Sequence, residues 1–114
     1  MGVYFLHYRC EPATKTEDVQ GGTADTCCLA ETAADADTMS QRLILSHRWI
    51  VQELLACVAT SDELRDGWDE LEEMLHAKAI QRDPPAAVLF SVWGREREQP
   101  ELRHLPIPDE GTAQ

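Results

Sequence analysis

From Trp49 to Ala59 the chain reads Trp-Ile-Val-Gln-Glu-Leu-Leu-Ala-Cys-Val-Ala, apolar on both alternating sets of positions and broken mainly by Gln52 and Glu53. A run of that kind predicts a central strand, greasy on both faces of a sheet. A helix continuing through it is the rival reading, because Leu54, Leu55 and Ala56 are good helix formers. Thr60-Ser61-Asp62-Glu63 matches a capping box, and a fresh helical start there argues for a different element before it. The extended reading is preferred on that ground.

Shorter elements surround this run. Residues 3 to 10 carry Val3, Tyr4, Phe5 and Tyr8 ahead of Glu11-Pro12, types that suit a pleated surface, and predict a first strand. Residues 11 to 23 are polar and end in Gly21-Gly22, which reads as a long loop whose plainest role is a hairpin tip. Residues 24 to 33, with Thr26-Cys27-Cys28-Leu29, predict a second strand antiparallel to the first. Thr38-Met39-Ser40-Gln41 matches a capping box, so a helix is expected from Thr38, with Met39, Leu43 and His47 at helical spacing and Ile44 beside them. A second helix follows the box at Thr60, its stripe formed by Leu64, Trp68, Leu71 and Leu75. Gly67 predicts a kink or break near Asp66-Gly67, and Asp83-Pro84-Pro85 ends the helix. Residues 86 to 93 form the last strand, Val88, Phe90 and Val92 on one face and Leu89, Ser91 and Trp93 on the other. Beyond Gly94 the chain turns charged, with Pro100, Pro106 and Pro108. Residues 1 to 93 are thus expected to form one domain and residues 94 to 114 an extended arm or disordered tail.

The order ββαβαβ predicts an α+β two-layer sandwich, a four-stranded and mostly antiparallel sheet with two helices on one face. Gly21-Gly22 followed by Cys27-Cys28, then His47-Arg48-Trp49-Ile50-Val51, then Phe90-Ser91-Val92-Trp93, resembles a pattern of small bacterial single-domain proteins with no assigned activity. The resemblance spans about residues 3 to 93. It implies a ferredoxin-like two-layer arrangement and carries no catalytic residue or cofactor; the element order departs from the ferredoxin-like βαββαβ.

With Ile50, Leu54, Ala56, Val58, Val88, Phe90 and Val92 turned to the helices, Val3, Phe5, Val51, Leu55, Leu89 and Trp93 are left on the opposite face. An apolar patch of that extent predicts a homodimer in which sheets meet. The polar members of that face, His7, Arg9, Glu53 and Ser91, then line the enclosed cavity, with Trp93 as an apolar wall. The ligand-binding or interface candidates are therefore His7, Glu53, Ser91 and Trp93.

Composition narrows the functional classes. The chain of 114 residues is 43% hydrophobic and 27% charged, ordinary for a folded domain. A formal charge of -11 disfavours phosphate backbones and anionic lipid, and the arginines, among them Arg42, Arg65 and Arg95, form no stripe. No apolar run approaches the roughly 18 to 20 residues of a membrane span. The amino terminus meets His7 and Arg9 too early for a secretory signal, so a cytoplasmic protein with reduced thiols is expected.

No constellation names a reaction. Cys27 and Cys28 are adjacent in a strand and face opposite ways, so no metal site is expected, and no cofactor. A nucleophilic cysteine needs a base beside it; His7 and Cys10 fall on opposite faces, while pairing of His7 with Cys27 or Cys28 depends on the register. Gly21-Gly22 lacks the lysine and helix start of a phosphate loop. The set Asp62, Glu63, Asp66, Asp69, Glu70, Glu72 and Glu73 reads as a solvated helix face, with docking of a basic protein partner as its second role. The preferred expectation is a non-enzymatic module that homodimerises through its sheet and holds a small apolar ligand or a protein partner. The alternative is a small enzyme using His7 and Glu53 as an acid-base pair in the dimer cavity. A deep, partly polar pocket joining the two favours the enzyme; their separation favours the module.

Overall fold

Two strands, β1 (Gly2–Pro12) and β2 (Gly21–Ala30), run antiparallel through the middle of the sheet, from Gly2 opposite Ala30 to Cys10 opposite Gly22. The remaining elements of the computed structural model are α1 (Ala33–Ser46), β3 (Trp49–Thr60), a 3-10 helix (Asp62–Gly67), α2 (Glu70–Ala79), β4 (Ala86–Trp93) and the two-residue β5 (Arg103–His104). The structure describes residues 1–16 and 19–93 with the backbone of 103–104. Apart from β5, the arm expected over residues 94 to 114 lies outside the described residues.

The sheet is antiparallel throughout, in the order β3-β1-β2-β4-β5. Its four long antiparallel strands and the helices match the expected α+β class; the strand order does not match the ferredoxin-like one. The helices lie on opposite faces, which corrects the expectation that both share one. Leu6, Tyr8 and Cys10 pack with Ala24, Cys28, Val88, Phe90 and the α1 residues Ala36 and Ile44. Val3, Phe5, Cys27 and Ala87 pack on the other side with Leu75 and Ala79 of α2. The physical reason is that β1, β2 and β4 are apolar on both alternating sets, so each face needs its own cover and one helix goes to each.

β3 is extended along its whole length, as its run of residues predicts, but it lies at the edge rather than in mid-sheet. It pairs with β1 from Pro12 opposite Trp49 to Val3 opposite Thr60, and two register shifts, between His7 and Tyr8 and between Arg9 and Cys10, insert residues into β3. Pro12 sits where the ladder ends, a position that tolerates the missing donor. Only Trp49 of this strand is buried; it stacks on Phe90 at 5.0 Å between ring centroids. An apolar run therefore told of strand geometry without telling of burial.

Helix boundaries moved for local reasons. α1 begins at Ala33, with Thr32 accepting from the Asp35 N–H at 3.1 Å, so the expected start at Thr38 falls inside the helix. The face that α1 buries is made of Ala36, Ser40 and Ile44, of which only Ile44 gives a strong hydrophobic signal. α1 is fastened by Tyr8, whose hydroxyl donates to Asp37 Oδ1 at 2.6 Å, and by Ser40, within 2.7 Å of Thr26 Oγ1 and 3.1 Å of Cys28 Sγ. Burial first and the Asp37 carboxylate second hold the Tyr8 phenol well above its ordinary range, so it stays a neutral donor. The predicted break near Gly67 is present, and it is complete: Ser61 makes no side-chain cap, Leu64 is exposed, and α2 starts afresh from a capping box of Asp69 with Glu72. Among the described residues no helix is long and apolar enough to cross a membrane.

Candidate functional site

The odd-numbered residues of β1 and β2 face α2, and α2 covers only the part of that face near Val3, Phe5, Cys27 and Ala87. Antiparallel partners share a face, so the register lays out the rest. One row crosses four strands as Glu53, Arg9, Thr23 and Ser91; the next runs Ala56, His7, Asp25 and Leu89. Trp93 stands opposite Gly21, its indole so close that a Cβ there would meet the ring at 3.1 Å. His7, Glu53, Ser91 and Trp93 thus lie on one face of the sheet, in adjacent rows.

They do not form one constellation. His7 Nδ1 lies 2.6 Å from Asp25 Oδ1, whereas Glu53 Oε1 lies 2.6 Å from the guanidinium of Arg9. The proposed acid-base couple of His7 and Glu53 is therefore split between two other partners. Asp25 was missed because His7 and Asp25 meet only through a hairpin register that no residue type announces. The Arg9–Glu53 pair is half-exposed on both sides and contributes at most about 1 kcal/mol, so it holds side chains in place more than it stabilises the fold.

Beside His7 and Asp25 the sheet and α2 leave a hollow of about 180 Å³. Phe5, Val58, Leu71 and Leu75 supply apolar walls. Asp69 and Glu72 close it at the first turn of α2, held there by the capping box: Asp69 Oδ1 accepts from the Glu72 N–H and Glu72 Oε1 from the Asp69 N–H, each at 2.8 Å. Glu53 does not line the hollow, and neither do Ser91 and Trp93.

The four thiols are all shifted away from the thiolate form. Burial pushes Cys10 and Cys27 up to about 12, Cys27 with smaller contributions from Cys28 and the Glu72 charge. Cys28 is raised by burial, and exposed Cys57 is raised in the same direction by burial and then Asp37. His7 does not reach Cys27 or Cys28 as its partner across the hairpin, since Phe5 and Tyr4 stand opposite them. Among the described residues no three metal-ligating side chains converge. Comparison with protein-family models, with curated proteins and with solved structures found no match.

Proposed function

We propose that the chain is a non-enzymatic binding module that pairs with a second copy of itself through its sheet. The observation that carries this reading is the free edge of β3. Ile50, Leu54, Leu55 and Val58 are 44%, 42%, 44% and 54% exposed, on a strand of 12 residues with an open row of backbone donors and acceptors. Edges of that kind are usually blunted by lysine, proline, inward charge or bulges; β3 carries two register shifts but no lysine or proline. Its single charge, Glu53, is matched by Arg9 of the same chain. In a protein of net charge -11 this leaves β3 without unbalanced charge to repel a like copy, and an antiparallel strand is complementary to itself about a two-fold axis.

In this reading Glu53 and the neighbouring face with His7, Ser91 and Trp93 border the interface, and ligand binding occupies the hollow behind it. The enzyme reading is not favoured by the separate partners of His7 and Glu53. Size-exclusion chromatography with light scattering at micromolar concentration should return twice the chain mass of 12.8 kDa. Val58→Lys and Leu54→Lys should each give a monomer with unchanged far-ultraviolet circular dichroism. A clean wild-type monomer would remove the proposal.

A further inference from the structure

We infer that the corner where α1 hands over to β3 binds a small organic carboxylate with a flat apolar body. The inference goes beyond the pairing reading and holds for one copy or two. Its setting is a groove of about 450 Å³ at His47-Arg48-Trp49, the segment that joins the two elements. That volume falls within the ~300 to 1,000 Å³ of small-molecule sites. Pro12, Val19 and Trp49 give the groove apolar walls, while Thr16, His47 and Arg48 bring polar groups.

Arg48 sets the sign of the ligand. Its φ of 67° lies in the left-handed region that follows many helices and that glycine ordinarily fills. A side chain is disfavoured on such a backbone, yet this one serves no ion pair within the fold. Arg9, Lys15 and Arg65 are each matched to a carboxylate, whereas among the described residues Arg48 forms no salt bridge, in a chain with 21 acidic side chains. Its backbone is held from both sides: the Arg48 N–H donates to the Leu45 carbonyl and the Ala13 N–H to the Arg48 carbonyl, each at 2.8 Å. The root of the guanidinium fork is thus fixed before a ligand arrives, which lowers the cost of binding.

The neighbouring groups agree with Arg48. The Thr16 hydroxyl oxygen accepts from the Val19 N–H at 3.1 Å, which leaves its O–H to donate. His47 Nε2 is buried without a hydrogen-bond partner among the described residues. Burial first and the Arg82 charge second hold that imidazole below its ordinary range, so the field at this corner is positive although the chain carries -11. Glu11, beside Pro12, is taken up by Lys15 at 2.9 Å. A cation entering here meets Arg48 and Arg82, and a bare inorganic anion leaves Pro12, Val19 and Trp49 unused.

Three probes of one shape, phenylacetate, phenethyl alcohol and phenethylammonium, with inorganic phosphate as a fourth, test this by calorimetry and ligand-observed NMR on the full chain up to about 10 mM. The carboxylate should bind saturably in roughly the millimolar range and at least about tenfold more tightly than the alcohol or phosphate, with no binding of the ammonium. Arg48→Gly places the ordinary residue at the left-handed position, so it should fold at least as well as the wild type while weakening the carboxylate by about tenfold or more. Arg48→Lys keeps the charge without the planar fork and should fall between the two. Bound carboxylate should also move the titration midpoint of the His47 ring protons upward. Equal binding of the organic probes, no saturation by about 10 mM, unchanged affinity in Arg48→Gly or an unmoved His47 titration at saturation would overturn the inference. Light scattering on the same samples separates the two proposals: a monomer that binds sinks the dimer alone, and a dimer that does not bind sinks the ligand alone.

Discussion

Gly22 shows how closely β2 and β4 approach. A Cβ built there would collide with the carbonyl oxygen of Ser91, which belongs to the backbone and cannot rotate away. Gly22→Ala should therefore destabilise the protein by about 1 to 3 kcal/mol, the usual cost of overpacking, as read by urea denaturation. Gly67 is the counterpart, with nothing within 4 Å of an added Cβ; Gly67→Ala should be neutral or stabilise by about 0.4 to 1 kcal/mol through the unfolded chain. Sequence alone named both glycines as punctuation and could not tell a crowded one from an open one. The same limit governs the site. Alternation placed His7, Arg9, Glu53, Ser91 and Trp93 on one face, which the pairing bears out, but the partner of each side chain depends on register, and that is a property of two strands at once.

Among the elements, strands were more legible than helix ends. The stretches read as strands at residues 3 to 10 and 86 to 93 are strands, because alternating large apolar residues leave a strong trace. α1 begins five residues before its expected start, since Ile44 is the one large apolar side chain on its buried face beside Ala36 and Ser40. Thr32→Ala should cost about 0.5 to 2 kcal/mol in a denaturation midpoint series, as expected of a lost cap, and Thr38→Ala should fall near zero at its exposed interior position. The reverse ranking would return the helix start to Thr38. For α2 the sequence pointed to a cap at Thr60 with Glu63, whereas the helix is capped by Asp69 with Glu72 because Trp68 is drawn to the sheet. Its indole donates to Thr60 Oγ1 at 3.2 Å and meets Phe5 edge-on at 5.1 Å, so the chain must leave the 3-10 helix before α2 can begin.

At the scale of the molecule, both sheet faces are apolar as expected, but the two register shifts put Ile50, Ala56 and Val58 on the face of Phe5 and Leu89, and Val51 on that of Cys10, against the grouping read from alternation. Two helices were expected to crowd one face and leave the other for a partner; instead one helix covers part of each face, and four large apolar residues stay exposed along one border of the sheet, at Ile50, Leu54, Leu55 and Val58. Element order constrains such an outcome weakly, because a helix between antiparallel strands can cross either face at similar chain length. The lone neighbour of β3 has a signature in deuterium uptake. In a solitary chain, amides along Trp49–Thr60 bonded to β1 exchange slowly while the alternate ones, aimed at water, exchange at nearly the rate of an unstructured peptide, a sawtooth interrupted only at the two register shifts. Association strand to strand would flatten that sawtooth into uniform protection, residue by residue, and dilution would restore it.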